Sequence, residues 1–466
     1  IYNTKNVTIT GGTVSGSTTG ITSSGALILG TKGDLESDET TLKVSKDNPE
    51  IVSSTTGIST SGTFNFYDGI IKGSTAISGT VNEIEDGYEI IVSSDDTYNE
   101  IKYLDKLPIV HVVDDTDYYS FEEALASDAC KSECTMELLR SATFLSTAES
   151  VTIKNTQNVI LDMKKFTLTT GNDLLFSNAG TFKITDSAET SGSITTTSSG
   201  GKVIENSGTL TYEKITTSGG STTIDNSGTM NILSGSIYTS GTKVINNTGT
   251  LTMSDGELKT NAGTMVIYNS GSTEITGGTI SIVGVYRGRN YGIQNTGNGI
   301  LKFSGEATIN GASQEGDRTI IGIYNNATPK EGSTEANIQI DGGTISVAWY
   351  NYYSDIMGYG IQNESSTGVV TVNDGTISGG YAVINEGILN VNGGSMTGNC
   401  DSAVNNSNEL NISGGQITMN KNTWTRGYGI ENSGTIKMTS GTVTSNVIGI
   451  YNTKNVTITG GTVSGS

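Results

Sequence analysis

The 466 residues include only three cysteines, three prolines, two tryptophans and one histidine. Three cysteines cannot staple a disulfide scaffold, and Cys130 and Cys134, four apart in ACKSEC with Cys400 distant, form no paired CxxC metal set. Their spacing suits a short loop or one helical turn, so a local disulfide and two free thiols both stay open; Cys400 reads as a small buried side chain. The single His111 is better placed as a strand or solvent residue than as a catalytic base. Basic residues are scarce too: 26 Lys and Arg against 47 Asp and Glu give a net charge of -21 and a pI near 4.4. That balance excludes nucleic acid and anionic membrane surfaces as partners, since there is no basic patch to release their counterions. No apolar run approaches the ~20 residues that span a bilayer, and the first residues lack a charged segment followed by an apolar one. Membrane insertion is therefore not expected of this sequence, and an export signal would lie outside it.

What is present is a phrase. VIENSGTLTY from Val203, TIDNSGTMNILSGSI from Thr223, VINNTGTLTMSDGEL from Val244 and VIYNSGSTEITGGTI from Val266 are variants of one another, and related phrases continue to the C-terminus. The anchors are Asn206, Asn226, Asn247, Asn269, Asn295, Asn325, Asn363, Asn385, Asn405, Asn432 and Asn452, with a shortest spacing of about 20 residues. Each unit holds three short alternating apolar stretches separated by Asn-Ser-Gly or Gly-Gly, which predicts three strands joined by tight corners. Such units bury nothing alone; stacked at ~4.8 Å they share one narrow core. The expected fold is all-β, a parallel β-helix interrupted by a small α+β junction, right-handed by the general bias of parallel crossovers. Glycine supplies positive φ at the corners, and the recurrent Asn is expected to point inward and bond its equivalents along the axis.

Between about residues 83 and 120 the phrase gives way to a charged stretch. Its alternation in YEIIV and IVHVV predicts a few antiparallel strands. SFEEALAS follows, with Ser120 as a helix N-cap and Glu122 and Glu123 in the first turn. The organisation expected is closing coils of one module at 1–83, a junction at 84–119, a capping helix and loop at 120–135 that covers the next open solenoid end, and coils of the next module at 136–466. FEEALAS, ELLRSATF and VTIKNTQNVILDMKKFTLT, followed by the coils, resemble the surface β-helix proteins of Gram-positive gut bacteria with the pectate-lyase-like right-handed fold. GTFNFYDGIIKGSTAISGTVNEIEDGY resembles the closing coils and exit linker of such modules. The resemblance covers most of the chain and implies an extracellular, cell-surface location and a structural or adhesive role.

IYNTKNVTITGGTVSGS occurs at 1–17 and again, letter for letter, at 450–466, an offset of 449 residues. A longer tandem array cut inside one coil is the simplest reading, with about sixteen coils per repeat spanning roughly 75–80 Å at the strand spacing of a sheet.

Chemistry is hard to find. Asp114, Asp115 and Asp117, or Asp34, Glu36, Asp38 and Glu39, offer oxygens but follow no calcium-loop pattern, and read as solvated acidic loops. No catalytic residues, metal or cofactor are expected. The rare residues instead gather in three insertions at one phase of the repeat: VYRGRNYG with Tyr286, Arg287, Arg289 and Tyr291; AWYNYYSDIMGYG with Trp349, Tyr350, Tyr352, Tyr353 and Tyr359; and TWTRGYG with Trp424, Arg426 and Tyr428. They should form an aromatic and cationic strip along one edge. The strip either shields the helix corner, joins rods side by side, or binds a receptor or glycan. The function expected is a structural repeat of a long extracellular filament or adhesin stalk, not an enzyme, whose partners are copies of itself, end to end and side by side, and a host or surface glycan. The alternative is a glycan-binding or glycan-cleaving β-helix.

Overall fold

A computed structural model describes the chain except residues 33–35, 39–40, 44–48, 85–87, 95–98, 107, 145–149, 262–263, 285–287, 314–317, 334, 349–355, 421–426 and 466. It divides into two units, Ile1–His111 with Asp117–Glu123, and Val112–Thr116 with Ala124–Ser466. Each is built of short strands stacked in parallel ladders, and the fold is a right-handed parallel β-helix.

A single coil of the larger unit shows why the residues adopt it. Thr222–Asn226 forms the first wall, Thr229–Ile232 the second and Ser236–Thr239 the third. Alternation sends Ile224, Asn226, Met230, Ile232, Ile237 and Thr239 inward, all essentially without exposure. The next coil repeats the pattern in register: Ile224 pairs with Ile245, Met230 with Leu251 and Ile237 with Leu258. Like residues therefore stack on like, and a thin chain still acquires a continuous core. The first wall carries 13 such strands, from Val151–Ile153 to Ile448–Asn452.

Two corners depend on glycine for different reasons. After the Asn, Gly228 sits so close to the coil beneath that an added Cβ would lie 2.1 Å from the Gly208 carbonyl oxygen, and Gly249 and Gly271 repeat the arrangement. At the next corner Gly235 and Gly256 adopt φ of 96° and 102°, a region that side chains disfavour.

The inward asparagines form one hydrogen-bonded column. Asn178, Asn206, Asn226, Asn247, Asn269, Asn295, Asn325, Asn363, Asn385, Asn406, Asn432 and Asn452 each donate Nδ2–H to Oδ1 of the next, at 2.6–3.0 Å. Most donate also to a backbone carbonyl of the following coil, as Asn226 does to Thr250 at 3.0 Å. Buried amides thus find their partners within the protein. Asn405 does not belong to the column. It pairs with Glu431 on the outward side, and its neighbour Asn406 takes the inward place, because alternation from buried Val404 puts the second Asn of the pair inside.

Of the aromatics that enter the aliphatic stack, Phe176, Phe182, Phe303 and Tyr212 among them, Tyr212 carries a hydroxyl. Tyr212 is fully buried, with its hydroxyl 2.8 Å from the Ser236 carbonyl and 3.0 Å from Ile215 O and Thr217 Oγ1. Burial pushes its phenol far above the ordinary value. Tyr212→Phe is expected to cost about 1–2 kcal/mol, read by denaturant unfolding, through the polar groups left unpaired. Alkaline spectrophotometric titration should find this phenol silent until the fold is lost.

In the first coils, the Asp162 carboxylate accepts the backbone N–H of Ser187 at 3.0 Å and of Lys164 at 3.1 Å. Burial alone would raise its pKa, but these bonds and the Lys164 ammonium outweigh it and hold the carboxyl below the usual range. A depressed carboxyl contributes stability above its unfolded pKa, near 3.9, and loses it as pH falls through the folded value. Asp162→Asn should therefore destabilise by about 1–2 kcal/mol at neutral pH, and progressively less below pH 4, in thermal melts run across that range.

The smaller unit closes its own coils. Ile21, Leu27, Leu29, Ile51, Ile58, Phe64, Phe66 and Ile71 make its core, and its Asn column gives way to smaller hydroxyls, with Asn3 Nδ2 donating to Ser23 Oγ at 2.9 Å. Asn99–Lys106 runs antiparallel to Ile70–Gly73 and pairs in turn with Tyr88–Ser94. The reversal ends the parallel ladder, so the strands expected in the junction extend a solenoid wall. The helix, Phe121–Ala126, opens with a reciprocal cap: the Glu123 N–H donates to Ser120 Oγ and the Tyr119 N–H to Glu123 Oε2, both at 3.1 Å. Within the larger unit, buried Gln157 donates to the carbonyls of Leu125 and Cys130, both at 2.9 Å. Of the two states open for Cys130 and Cys134, they adopt the disulfide. Cys400 is half-buried.

Candidate functional site

Outward positions of the first wall carry the chemistry. Each strand shows solvent its first residue and the residue before the inward Asn, the two flanking a buried pair. In the early coils these positions hold a polar lattice. Lys202 bridges Glu205 at 3.1 Å and Asp225 at 2.8 Å, Asn246 donates to Asp225 at 2.7 Å, and the Lys243 ammonium lies 4.3 Å from the Tyr268 ring centre.

From Tyr291 onward the same columns turn aromatic. Tyr291 and Tyr324 meet at 5.2 Å between ring centres, Tyr359 and Tyr381 at 5.7 Å, and Tyr428 and Tyr451 stack at 4.8 Å with planes 10° apart. These are tilted and stacked geometries in which ring quadrupoles attract. Glu364 clips the first pair: its carboxylate receives Arg289 Nη1 at 2.9 Å, the Tyr324 hydroxyl at 2.5 Å and Gln362 Nε2 at 2.8 Å. Because Arg289 registers with Thr319 and Thr319 with Met357, the clip reaches across three successive coils. Burial and the bond to Glu364 push the Tyr324 phenol up; burial lowers the Arg289 guanidinium, but Glu364 outweighs it and raises it. Burial also raises Tyr359, and raises Tyr381 together with the nearby Cys400 and Asp401. The phenols of Tyr324, Tyr359 and Tyr381 therefore stay protonated through the physiological range, and two of them are already engaged, Tyr324 with Glu364 and Tyr381 with Asp401 at 3.4 Å. With three donors on it, Glu364 fastens the strands it touches.

Of the strip expected from the sequence, Arg289, Tyr291, Tyr359 and Tyr428 are thus brought onto one wall. Tyr286, Arg287, Trp349, Tyr350, Tyr352, Tyr353, Trp424 and Arg426 lie outside the described residues. Sequence reasoning missed Tyr324, Tyr381, Tyr451 and Glu364. The signal was there in the residue just before each anchor, the Tyr of GIYN, and in the Tyr that opens YAVIN.

The acidic groups fall elsewhere. His111 Nδ1 lies 2.7 Å from the Asp117 carboxylate across an antiparallel pair, with both side chains partly or largely exposed. Asp114 takes φ of 66° in a tight turn that the Asp115 N–H closes on the Val112 carbonyl at 3.0 Å. Glu36 and Asp38 are on a short antiparallel hairpin, while Asp34 and Glu39 lie outside the described residues. Among the described residues no three His, Cys, Asp or Glu side chains converge as a metal set.

Compared with protein-family models, curated proteins and solved structures, the chain matches none. What it is has therefore to be read from its own geometry, which is that of a β-helix repeat protein.

Proposed function

We propose that the chain is a structural repeat unit of a long extracellular filament or adhesin stalk, in which β-helix modules with a period of 449 residues continue end to end, and that it is not an enzyme. The observation that carries the reading is the unbroken Asn column, which holds one register through the larger unit and ends on Asn452 within the sequence repeated at 1–17. A solenoid of this kind has no intrinsic length; adding coils adds core at the same rate as surface. The Ser, Thr and Asn on its outward faces, the acidic charge and the Cys130–Cys134 disulfide support an oxidising, cell-surface setting. Denaturing electrophoresis of the native material, with electron microscopy of the same sample, tests the proposal. A band far above 48.6 kDa with filaments means a covalent tandem chain, and a band near one module with filaments means polymerising subunits. Globular particles without filaments would overturn it.

The tyrosine wall favours one second reading, a glycan-binding surface, since aromatic ring faces stack on sugars. Replacing Trp349, Trp424 and Tyr428 together by alanine is expected to weaken bundling or surface attachment at least tenfold, the loss of more than about 1.4 kcal/mol, while no polysaccharide is consumed by either protein. Polysaccharide depletion that disappears on mutating an Asp or Glu would establish the glycan-cleaving alternative.

A further inference from the structure

Among the described residues of the first wall, three tyrosine pairs meet across successive coils, and their geometries differ. Tyr428 and Tyr451 lie ring over ring with planes 10° apart. Tyr291 and Tyr324 are twisted by 57° with centres 5.2 Å apart, and Tyr359 and Tyr381 by 54° at 5.7 Å. Twist is the shape of two rings bonded to each other, since hydroxyls and hydrogens beside the bond collide in a flat biaryl. A carbon–carbon bond of ~1.5 Å between Tyr291 and Tyr324 needs their centres to come roughly 1 Å nearer. That pair also has the nearer proton acceptor: the Tyr324 hydroxyl donates to Glu364 at 2.5 Å, whereas the Tyr381 hydroxyl lies 3.4 Å from Asp401. Burial and the Glu364 bond keep the Tyr324 phenol protonated at neutral pH. Its ring therefore loses an electron most readily as the proton leaves, and Glu364 is within reach to take it.

We propose that Tyr291 and Tyr324 are an oxidative coupling site, at which hydrogen peroxide acting through a haem peroxidase joins the two rings by a carbon–carbon bond beside their hydroxyls. Tyr291 is half-buried and Tyr324 only 8% exposed, so Tyr291 gives up its electron directly and Tyr324 through its contact with Tyr291. Each phenol loses one electron and its hydroxyl proton, that of Tyr324 passing to Glu364. The two phenoxyl radicals then bond at the ring carbons next to their oxygens, and the ring protons displaced there restore both hydroxyls. One hydrogen peroxide takes up the two electrons and the two phenolic protons and leaves as two waters. The product fastens strand Gly288–Asn295 to strand Arg318–Asn325, which already pair in register. A covalent tie of this kind keeps adjacent coils from separating and restrains the unfolded chain. It needs neither a glycan nor a second module, so it stands or falls apart from both readings above.

The test treats the full chain, dilute enough to disfavour links between molecules, with hydrogen peroxide and a haem peroxidase, and digests it with trypsin. Cleavage after Arg289 and Lys302 releases residues 290–302, and after Arg318 and Lys330 residues 319–330, each holding a single tyrosine. The expected product is these two peptides joined, lighter than their sum by two hydrogen atoms, with the blue fluorescence of a biphenol. Tyr291→Phe, which keeps the ring and leaves all three donors on Glu364 in place, should abolish it. Glu364→Gln keeps an oxygen at the same place but of far lower basicity, and should slow the coupling by about tenfold or more. The proposal is overturned by any of three results: no joined peptide although exposed Tyr119 has been modified, a Tyr428–Tyr451 link formed as readily, or an unchanged rate in Glu364→Gln.

Discussion

Asn247→Asp is expected to destabilise the larger unit by about 3–5 kcal/mol at pH 7 and to recover part of that loss as the pH falls toward 4. The Asn247 amide receives Asn226 Nδ2–H at 2.7 Å and donates to Asn269 Oδ1 at 2.9 Å and to the Ser272 carbonyl at 3.0 Å. A carboxylate keeps the first bond and turns the other two into confrontations between oxygens in a fully buried site. Burial and those oxygens raise the carboxyl's pKa in the folded state above its unfolded value near 3.9. The folded form then binds the extra proton, so stability declines as pH rises between the two values and returns on acidification. Asn247→Leu should be comparably unstable without the pH dependence. Thermal melts of the three proteins from pH 4 to 8 decide it, and an Asn247→Asp variant as stable as the parent at pH 7 would show that the column is not a structural necessity.

The second large effect is expected at a position with no side chain at all. Gly228→Ala should cost about 3 kcal/mol, the upper range for overpacking, because its Cβ meets a backbone carbonyl, which cannot rotate away. The damage is shared, since Gly249 rests on the Gly228 carbonyl as Gly228 rests on Gly208. Gly200, with ordinary φ and open space where a Cβ would stand, is the control. Its alanine variant should stay within about 0.5 kcal/mol of the parent in urea unfolding. Equal effects at the two sites would refute the steric account.

The coil architecture was legible because the phrase states it three times over, in period-two alternation, corner glycine and anchor Asn. Errors arose where the phrase was blurred. The doubled Asn of AVNNSN invited the choice of Asn405, although the Ser that follows marks Asn406 as the anchor, as it does for Asn206 and Asn226. Asn178 was overlooked because NAG stands there in place of NSG, yet the Gly180 N–H still turns back onto its Oδ1 at 3.1 Å. The tyrosine wall was only half legible for another reason. Insertions announce themselves by rare residues, whereas Glu364 and Tyr324 belong to ordinary coils and become a site only when stacking brings residues 40 apart within reach. Sequence proximity reports strands; the columns running across them emerge from the winding.

The direction of the main-chain bonds has a mechanical consequence. In this solenoid they run from coil to coil, along the axis, so tension applied along that axis pulls them open in sequence and does not shear them together. Only the three short ladders of a single coil, with one Asn link, resist at any moment. Each coil that gives way releases between 20 and 38 residues, or roughly 70–130 Å of extended chain at ~3.4 Å per residue. Stretching should therefore proceed at modest, nearly constant force in steps of differing length, one coil at a time, and a stalk made this way would absorb a sudden load by lengthening while the coils beyond the tear keep their shape.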